Sequence, residues 1–169
     1  MEMVDIYNKR REKIGVKERH SLEKGEYRIS CHIFFVNSKE EFLLQQRSLA
    51  SKKFPGMWEE TGGGVSAGQT SQETVVRECK EELGVDVAPE EMTYVGSYTR
   101  VRDIVDIFIV FKDFEISSLS FPDKEAISAK WLNDEQLTML IEQGKTVPSL
   151  TKSLRLAREY LSDFWSVEH

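Results

Sequence analysis

A chain of 169 residues, 40% hydrophobic and 31% charged, is long enough to close one hydrophobic core and has the composition of an ordinary folded domain. Its net charge of −6 excludes a nucleic-acid polymer as the main partner, because affinity for such polyanions comes from clustered Lys and Arg. A small phosphorylated substrate stays open, since it needs only a local cation. Cys31 and Cys79 stand among apolar neighbours without metal-type spacing and read as buried free thiols. No basic-then-apolar leader opens the sequence, and no apolar run approaches membrane-span length. The expected compartment is the cytoplasm, with no membrane partner.

The first predicted strand is 3–7, and residues 1–25 read as a strand or hairpin appendage to a single domain spanning 1–169. Residues 25–36 form the next strand. Asn37-Ser38-Lys39-Glu40 makes a turn into a strand at 42–47, so this pair reads as a hairpin. A polar loop follows, and then Met57-Trp58-Glu59-Glu60 leads into Gly62-Gly63-Gly64. Trp58 reads as a packing residue. A helix is predicted from about Thr70 to Leu83, with Val75, Val76, Cys79 and Leu83 on its apolar side and Gly84 as its C-terminal cap. Strands follow at 94–98 and 104–111, the second apolar on both faces as in a buried central strand. A short strand at 129–132 precedes a helix capped by Asn133. A last helix, starting near Pro148, carries Leu150, Leu154, Ala157, Leu161 and Phe164 on one face. This order predicts an α+β fold with a mixed sheet between helices.

The chemistry concentrates in Arg77-Glu78-Cys79-Lys80-Glu81-Glu82. On a helix, Glu78, Glu81 and Glu82 project to one side, where their charges repel. A hard divalent cation offsets that repulsion and retains waters that substrate phosphates can replace. A bare Glu-rich helix face is usually only solvated. Here the preceding Gly62-Gly63-Gly64 reads as a loop that lets backbone approach a ligand, because glycine tolerates positive φ. Two other glycine-loop readings are weaker. A phosphate-binding loop would need Lys where Gln69 stands. A dinucleotide fingerprint would need a buried strand just before it.

Gly63, Gln69 and Arg77-Glu78-Cys79-Lys80-Glu81-Glu82-Leu83-Gly84-Val85 resemble the Nudix box over residues 63–85, with Gln69 where the family has Glu. The resemblance implies an α/β/α sandwich and a Mg²⁺- or Mn²⁺-dependent hydrolase of diphosphate linkages. It implies metal ligation by Glu78, Glu81, Glu82 and the Gly63 carbonyl, with Arg77 holding the carboxylates in place. Glu78 is the first choice as proton acceptor from water. Arg47, Gly63 and Gly64 are expected at the substrate. Glu125 is the candidate metal-site acid from outside the box, with an ordinary surface glutamate as the equal alternative. Lys52 and Lys53 read as phosphate contacts or solvated cations. Gln69 is expected to weaken metal binding without ending activity.

Asp5-Ile6-Tyr7, Gly25-Glu26-Tyr27-Arg28 and Phe54-Pro55-Gly56-Met57-Trp58 are similar to the branch near isopentenyl-diphosphate isomerase. That isomerase uses a Cys and a His after the Trp58 position, but residues 57–68 hold neither. His20 and His32 therefore read as structural or solvent-facing, and Cys31 is not placed to substitute. The expected activity is hydrolysis of a small nucleoside diphosphate derivative. An isomerase-like enzyme and a non-catalytic nucleotide sensor are the alternatives. A homodimer through the N-terminal strand is compatible with the sequence.

Overall fold

The computed structural model describes residues 1–168. Strands β1 (Met3–Tyr7) and β2 (Lys13–Glu18) form an antiparallel hairpin. The main sheet comprises β3 (Arg28–Val36), β4 (Phe42–Arg47), β5 (Trp58–Glu59), β6 (Thr61–Gly64), β7 (Met92–Thr99), β8 (Asp103–Phe111) and β9 (Ala126–Leu132). Helix α1 (Ser71–Leu83) lies between β6 and β7 in sequence, and α2 (Asp134–Glu142) and α3 (Leu150–Glu168) close the chain. The strand order is β5-β4-β3-β8-β7, with β6 also on β3 and β9 also on β4. Among the described strand pairs only β3 and β8 run parallel, so the sheet is mixed.

Side-chain alternation along β3 and β8 sorts residues into two cores. Ile29, Cys31, Ile33 and Phe35 join Ile104, Phe108 and Val110 against Val75, Cys79 and Leu83 of α1. Phe34 and Val36 join Val105, Ile107 and Ile109 against Leu137 of α2 and Leu150, Leu154, Ala157 and Leu161 of α3. This is an α/β/α sandwich, and it explains why β8 is apolar on both faces. Trp58 is buried in the second core, with the Lys130 ammonium 4.7 Å above its ring. Phe164, expected on the apolar face of α3, is 36% exposed and stacks on Tyr160 and on Phe111 at the end of β8. Among the described residues, no helix is long and apolar enough to cross a membrane.

Two local expectations change. β3 and β4 meet only at Val36 and Phe42 and do not form an extended hairpin. β6 takes the β3 edge over Ser30–Ile33, while β9 runs along β4, so the two strands splay apart. The glycine run is itself a strand: Gly62, Gly63 and Gly64 pair with His32, Cys31 and Ser30, and none of the three has positive φ.

The first 25 residues are fastened to the domain. Arg11, at the β1–β2 turn, donates to both Asp106 carboxylate oxygens at 2.7 and 2.6 Å, and Ser71 and Ser97 donate to the same group. Met3 accepts the Ala67 amide, and Asp5 accepts that of Gly68. Burial raises the Asp106 carboxyl, but the Arg11, Ser97 and Ser71 hydrogen bonds outweigh it and hold the group below its ordinary value. Its contribution to stability is present above the unfolded-chain value and fades as pH falls through the lower folded one. Asp106 is 2% exposed and Arg11 is 43% exposed at its side chain, so solvent screens part of the pair. Arg11→Ala is expected to cost about 2 kcal/mol, less than for a fully buried pair. Urea midpoints at neutral pH check this; an unchanged midpoint would rule it out.

Candidate active site

Helix α1 carries a core face and a polar face because its ends are fixed. The Thr70 hydroxyl accepts the Glu73 amide at 3.1 Å, and Gly84, at φ 73°, sends its N–H back to the Cys79 and Lys80 carbonyls. Val75, Cys79 and Leu83 are fully buried, while Val76 is only half-buried. Glu78 and Glu82, one turn apart, turn toward the sheet.

Glu82 is 4% exposed, and its Oε2 accepts from Gln45 Nε2 at 2.9 Å. The Gln45 carbonyl accepts the Thr61 hydroxyl at 2.8 Å, which fixes the amide's orientation. Burial, then the Glu78 charge, pushes the Glu82 carboxyl well above the ordinary range. Burial also raises Glu78, against the Arg77 hydrogen bond, and the Glu78 and Glu82 carboxyls interact directly. Arg77 donates to Glu78 at 3.2 Å and lies 3.9 Å from Glu81. Gln69 accepts Arg77 Nη1 at 2.7 Å and helps hold that guanidinium. Glu81 is 51% exposed at its side chain and stands farther out than its two neighbours.

The glycine strand packs directly on these groups. A Cβ on Gly63 would stand 2.7 Å from Glu78 Oε1, and one on Gly64 would collide with Arg28 Nη1. The glycines are therefore needed for space, not for positive φ. Cys31 lies under the strand, with its thiol 3.7 Å from the Gly63 carbonyl, and burial pushes it up to about 12.

A cleft of about 1040 Å³ opens over the strand and takes in Glu78, Glu81, Glu82, Arg77 and all three glycines. Arg47, Lys53 and Glu125 line it as well. Arg47 Nη1 donates to Glu59 at 2.7 Å, and its Nε donates to the Lys53 carbonyl. Burial raises the Glu59 carboxyl, and Arg47 partly offsets that. Glu125 is exposed, and burial, then the Asp123 charge, raises its carboxyl, with Glu81 adding to the effect. His20 is exposed on the cleft wall, and His32 Nδ1 is 3.1 Å from the buried Glu60.

Among the described residues, no group of three or more His, Cys, Asp or Glu side chains is gathered as a ready metal cage. The donor chemistry nonetheless suits a hard divalent cation. Glu78 and Glu82 are two adjacent carboxyls, only the first of them offset by Arg77, and the absence of a Gly63 side chain is what lets Glu78 lie against the strand.

Sequence reasoning missed Gln45, Arg28, Arg19, Arg100 and Asp103, all of which hold or line this cleft. A signal existed for Gln45, a polar residue continuing the buried run Phe42-Leu43-Leu44. The arginines are scattered in sequence and converge only in the fold.

Residues 26–153 match the NUDIX domain family, and the chain belongs to that family. An uncharacterized Nudix hydrolase of Listeria monocytogenes is 28% identical over 151 residues, covering 88% of this chain and 89% of its own. An isopentenyl-diphosphate Δ-isomerase of Escherichia coli is 33% identical over 104 residues, covering 58% of this chain and 57% of its own. The solved structure of a Deinococcus radiodurans protein superposes with a TM-score of 0.74 at 23% identity, covering 93% of this chain and 98% of the other.

Proposed function

We propose that this chain is a Mg²⁺- or Mn²⁺-dependent hydrolase that cleaves the diphosphate linkage of a small nucleoside diphosphate derivative. The observation that carries the reading is the buried Glu82 carboxyl beside the half-buried Glu78, set against the Gly62–Gly64 stretch in a cleft that also holds Arg47. Members of the family generally use a divalent metal.

Glu78, Glu82 and Glu81, with the Gly63 carbonyl, would hold the cation, and Glu125 would reach the site from the far wall. When bound, the cation offsets charge on the diphosphate oxygens and makes water a stronger acid. Arg77 orients Glu78 through their hydrogen bond, with Gln69 bracing its other side. Glu78 takes the proton of the attacking water as the new P–O bond forms and the linkage P–O bond breaks. Arg47 pairs with Glu59 and offers its remaining donors to the departing phosphate.

The test is turnover of a panel of nucleoside diphosphate derivatives. Excess chelator should lower the rate on the best substrate at least about 10²-fold, and Mg²⁺ or Mn²⁺ should restore it. Undiminished turnover in chelator would sink the metal-dependent reading.

The same geometry speaks against isomerase chemistry. Residues 57–68 contain no Cys or His, and the Cys31 thiol is fully buried with its ionisation pushed up to about 12. Purified protein incubated with isopentenyl diphosphate and Mg²⁺ should yield no dimethylallyl diphosphate. Its steady formation would overturn this.

A further inference from the structure

Four guanidinium groups converge at one end of the cleft, and the hydrolysis described above leaves them without a role. Arg28 opens β3, Arg19 follows β2, and Arg100 and Arg102 occupy the turn between β7 and β8; all four line the cleft. Among the described residues, the carboxylates paired with them are Asp103 and Glu2. Asp103 accepts Arg28 Nε at 2.7 Å and Arg100 Nη2 at 2.8 Å, while Glu2 accepts Arg19 Nη1 at 3.0 Å. Glu26 also interacts with Arg102 but is itself paired with Lys17, so the end of the cleft keeps an excess of positive charge in a protein whose net charge is −6.

Arg28 is the tightest of the four. Its side chain is 15% exposed, and among the described residues its buried Nη1 has no hydrogen-bond partner. Burial lowers the stability of its charged form; Asp103 opposes this, and Arg19 and Arg100 add repulsion. Arginine keeps its proton under these conditions, so the remedy is an anion and not deprotonation. An oxyanion accepting from Nη1 would satisfy the buried donor and relieve the mutual repulsion together.

The β3–β6 register separates this cluster from the carboxylates. Gly63 faces Glu78, and the next residue, Gly64, faces Arg28; consecutive strand residues point to opposite sides. Both clusters nonetheless line one cleft, so one ligand can present different groups to the two.

We propose that Arg28, Arg100, Arg19 and Arg102 form an anion subsite for a phosphate monoester that the substrate carries in addition to its diphosphate. This deepens the hydrolase reading and rests on it: the preferred substrates are phosphorylated nucleoside diphosphate derivatives. Arg19 lies before residues 26–153, so the hairpin region completes the subsite from outside the segment that matches the family.

The experiment is calorimetric titration in excess chelator, which removes both turnover and the divalent cation. The first ligand is inorganic phosphate. Wild-type protein should bind it, and the Arg19→Gln/Arg102→Gln double variant should bind at least about tenfold more weakly. Arg28→Lys keeps the charge but loses the fork, and should weaken binding by about threefold or more. The double variant changes the less buried arginines and leaves the Arg28–Asp103 pair intact, so it decides the matter even where Arg28→Lys folds poorly. The second arm titrates two nucleoside diphosphate derivatives that differ by one phosphate monoester. The phosphorylated one should bind at least about tenfold tighter to wild type, with the ratio collapsing in the double variant. Absence of phosphate binding, or equal binding by wild type and double variant, overturns the subsite. Phosphate binding without preference for the phosphorylated derivative overturns its assignment to substrate and leaves free phosphate as the ligand. Failure of the hydrolase reading alone would show as absent metal-dependent turnover with these titrations unchanged.

Discussion

Glu82→Gln should reduce metal-dependent hydrolysis by at least about 10²-fold while leaving the fold intact. The side chain is 4% exposed, so the variant must be accepted by a packed site. An amide has nearly the same shape and keeps one oxygen to accept Gln45 Nε2, while its NH₂ can donate toward Glu78. What it loses is the charge that a hard cation requires. The same change tests the electrostatics of the carboxyl pair. The Glu82 carboxyl is held well above its ordinary value of 4.5, first by burial and then by Glu78. A raised carboxyl contributes stability that is fully present below the unfolded-chain value and is lost as pH rises through the higher folded one. Wild-type protein in chelator should therefore melt progressively earlier as pH is raised above about 4.5, and Glu82→Gln should show a flatter profile. A divalent cation should remove most of the difference by supplying the absent positive charge. Melting curves across pH, with chelator and with Mg²⁺, read this directly. Near-wild-type turnover by the variant would move the metal site elsewhere.

The helix that carries Glu82 was legible because every local rule agrees on it. Thr70 caps it, Gly84 ends it in the left-handed region, and Val75, Cys79 and Leu83 repeat at helical spacing. β8 was legible for the same reason, with apolar residues for both cores. β2 was legible only as the hairpin alternative for residues 1–25, because Ile14 and Val16, its two largest apolar side chains, point outward at 55% and 46% exposure. No buried face marks that strand; it exists through pairing with β1 and the Arg11–Asp106 bond. The glycine strand was read as a loop because glycine has poor strand propensity. Tertiary pairing with β3 overrides that preference, and the missing side chains are what let α1 and Arg28 close on it from two sides. In the site, the acidic triplet and Arg77 were visible from spacing. The division of labour within the triplet was not, because burial of Glu82 beside Gln45 and exposure of Glu81 depend on how α1 lies on the sheet.

Gly62→Ala and Gly63→Ala should fail in different ways, although they are adjacent and make the same chemical change. A Cβ on Gly62 would run into the Cys31 carbonyl and stand 2.7 Å from His32 Cα. Both obstacles are backbone of β3, a strand paired on either side by β6 and β8, and neither can withdraw without breaking the sheet. The expected cost is about 3 kcal/mol or more, at the upper end of overpacking effects. A Cβ on Gly63 would instead meet the Glu78 carboxyl, 2.7 Å from Oε1 and 2.8 Å from Cδ. A side-chain terminus can swing aside, so stability should fall by only about 1 kcal/mol. Glu78 would then leave its position beside Glu82 and its hydrogen bond from Arg77. A displacement on the order of 1 Å at a reacting group is enough to cost about 10²-fold in rate. Denaturant midpoints and metal-dependent kcat, measured on both variants, should show Gly62→Ala losing the fold and Gly63→Ala losing the chemistry. A well-folded Gly62→Ala would contradict the pairing register of β6 with β3. A fully active Gly63→Ala would show that Glu78 does its work away from the glycine strand.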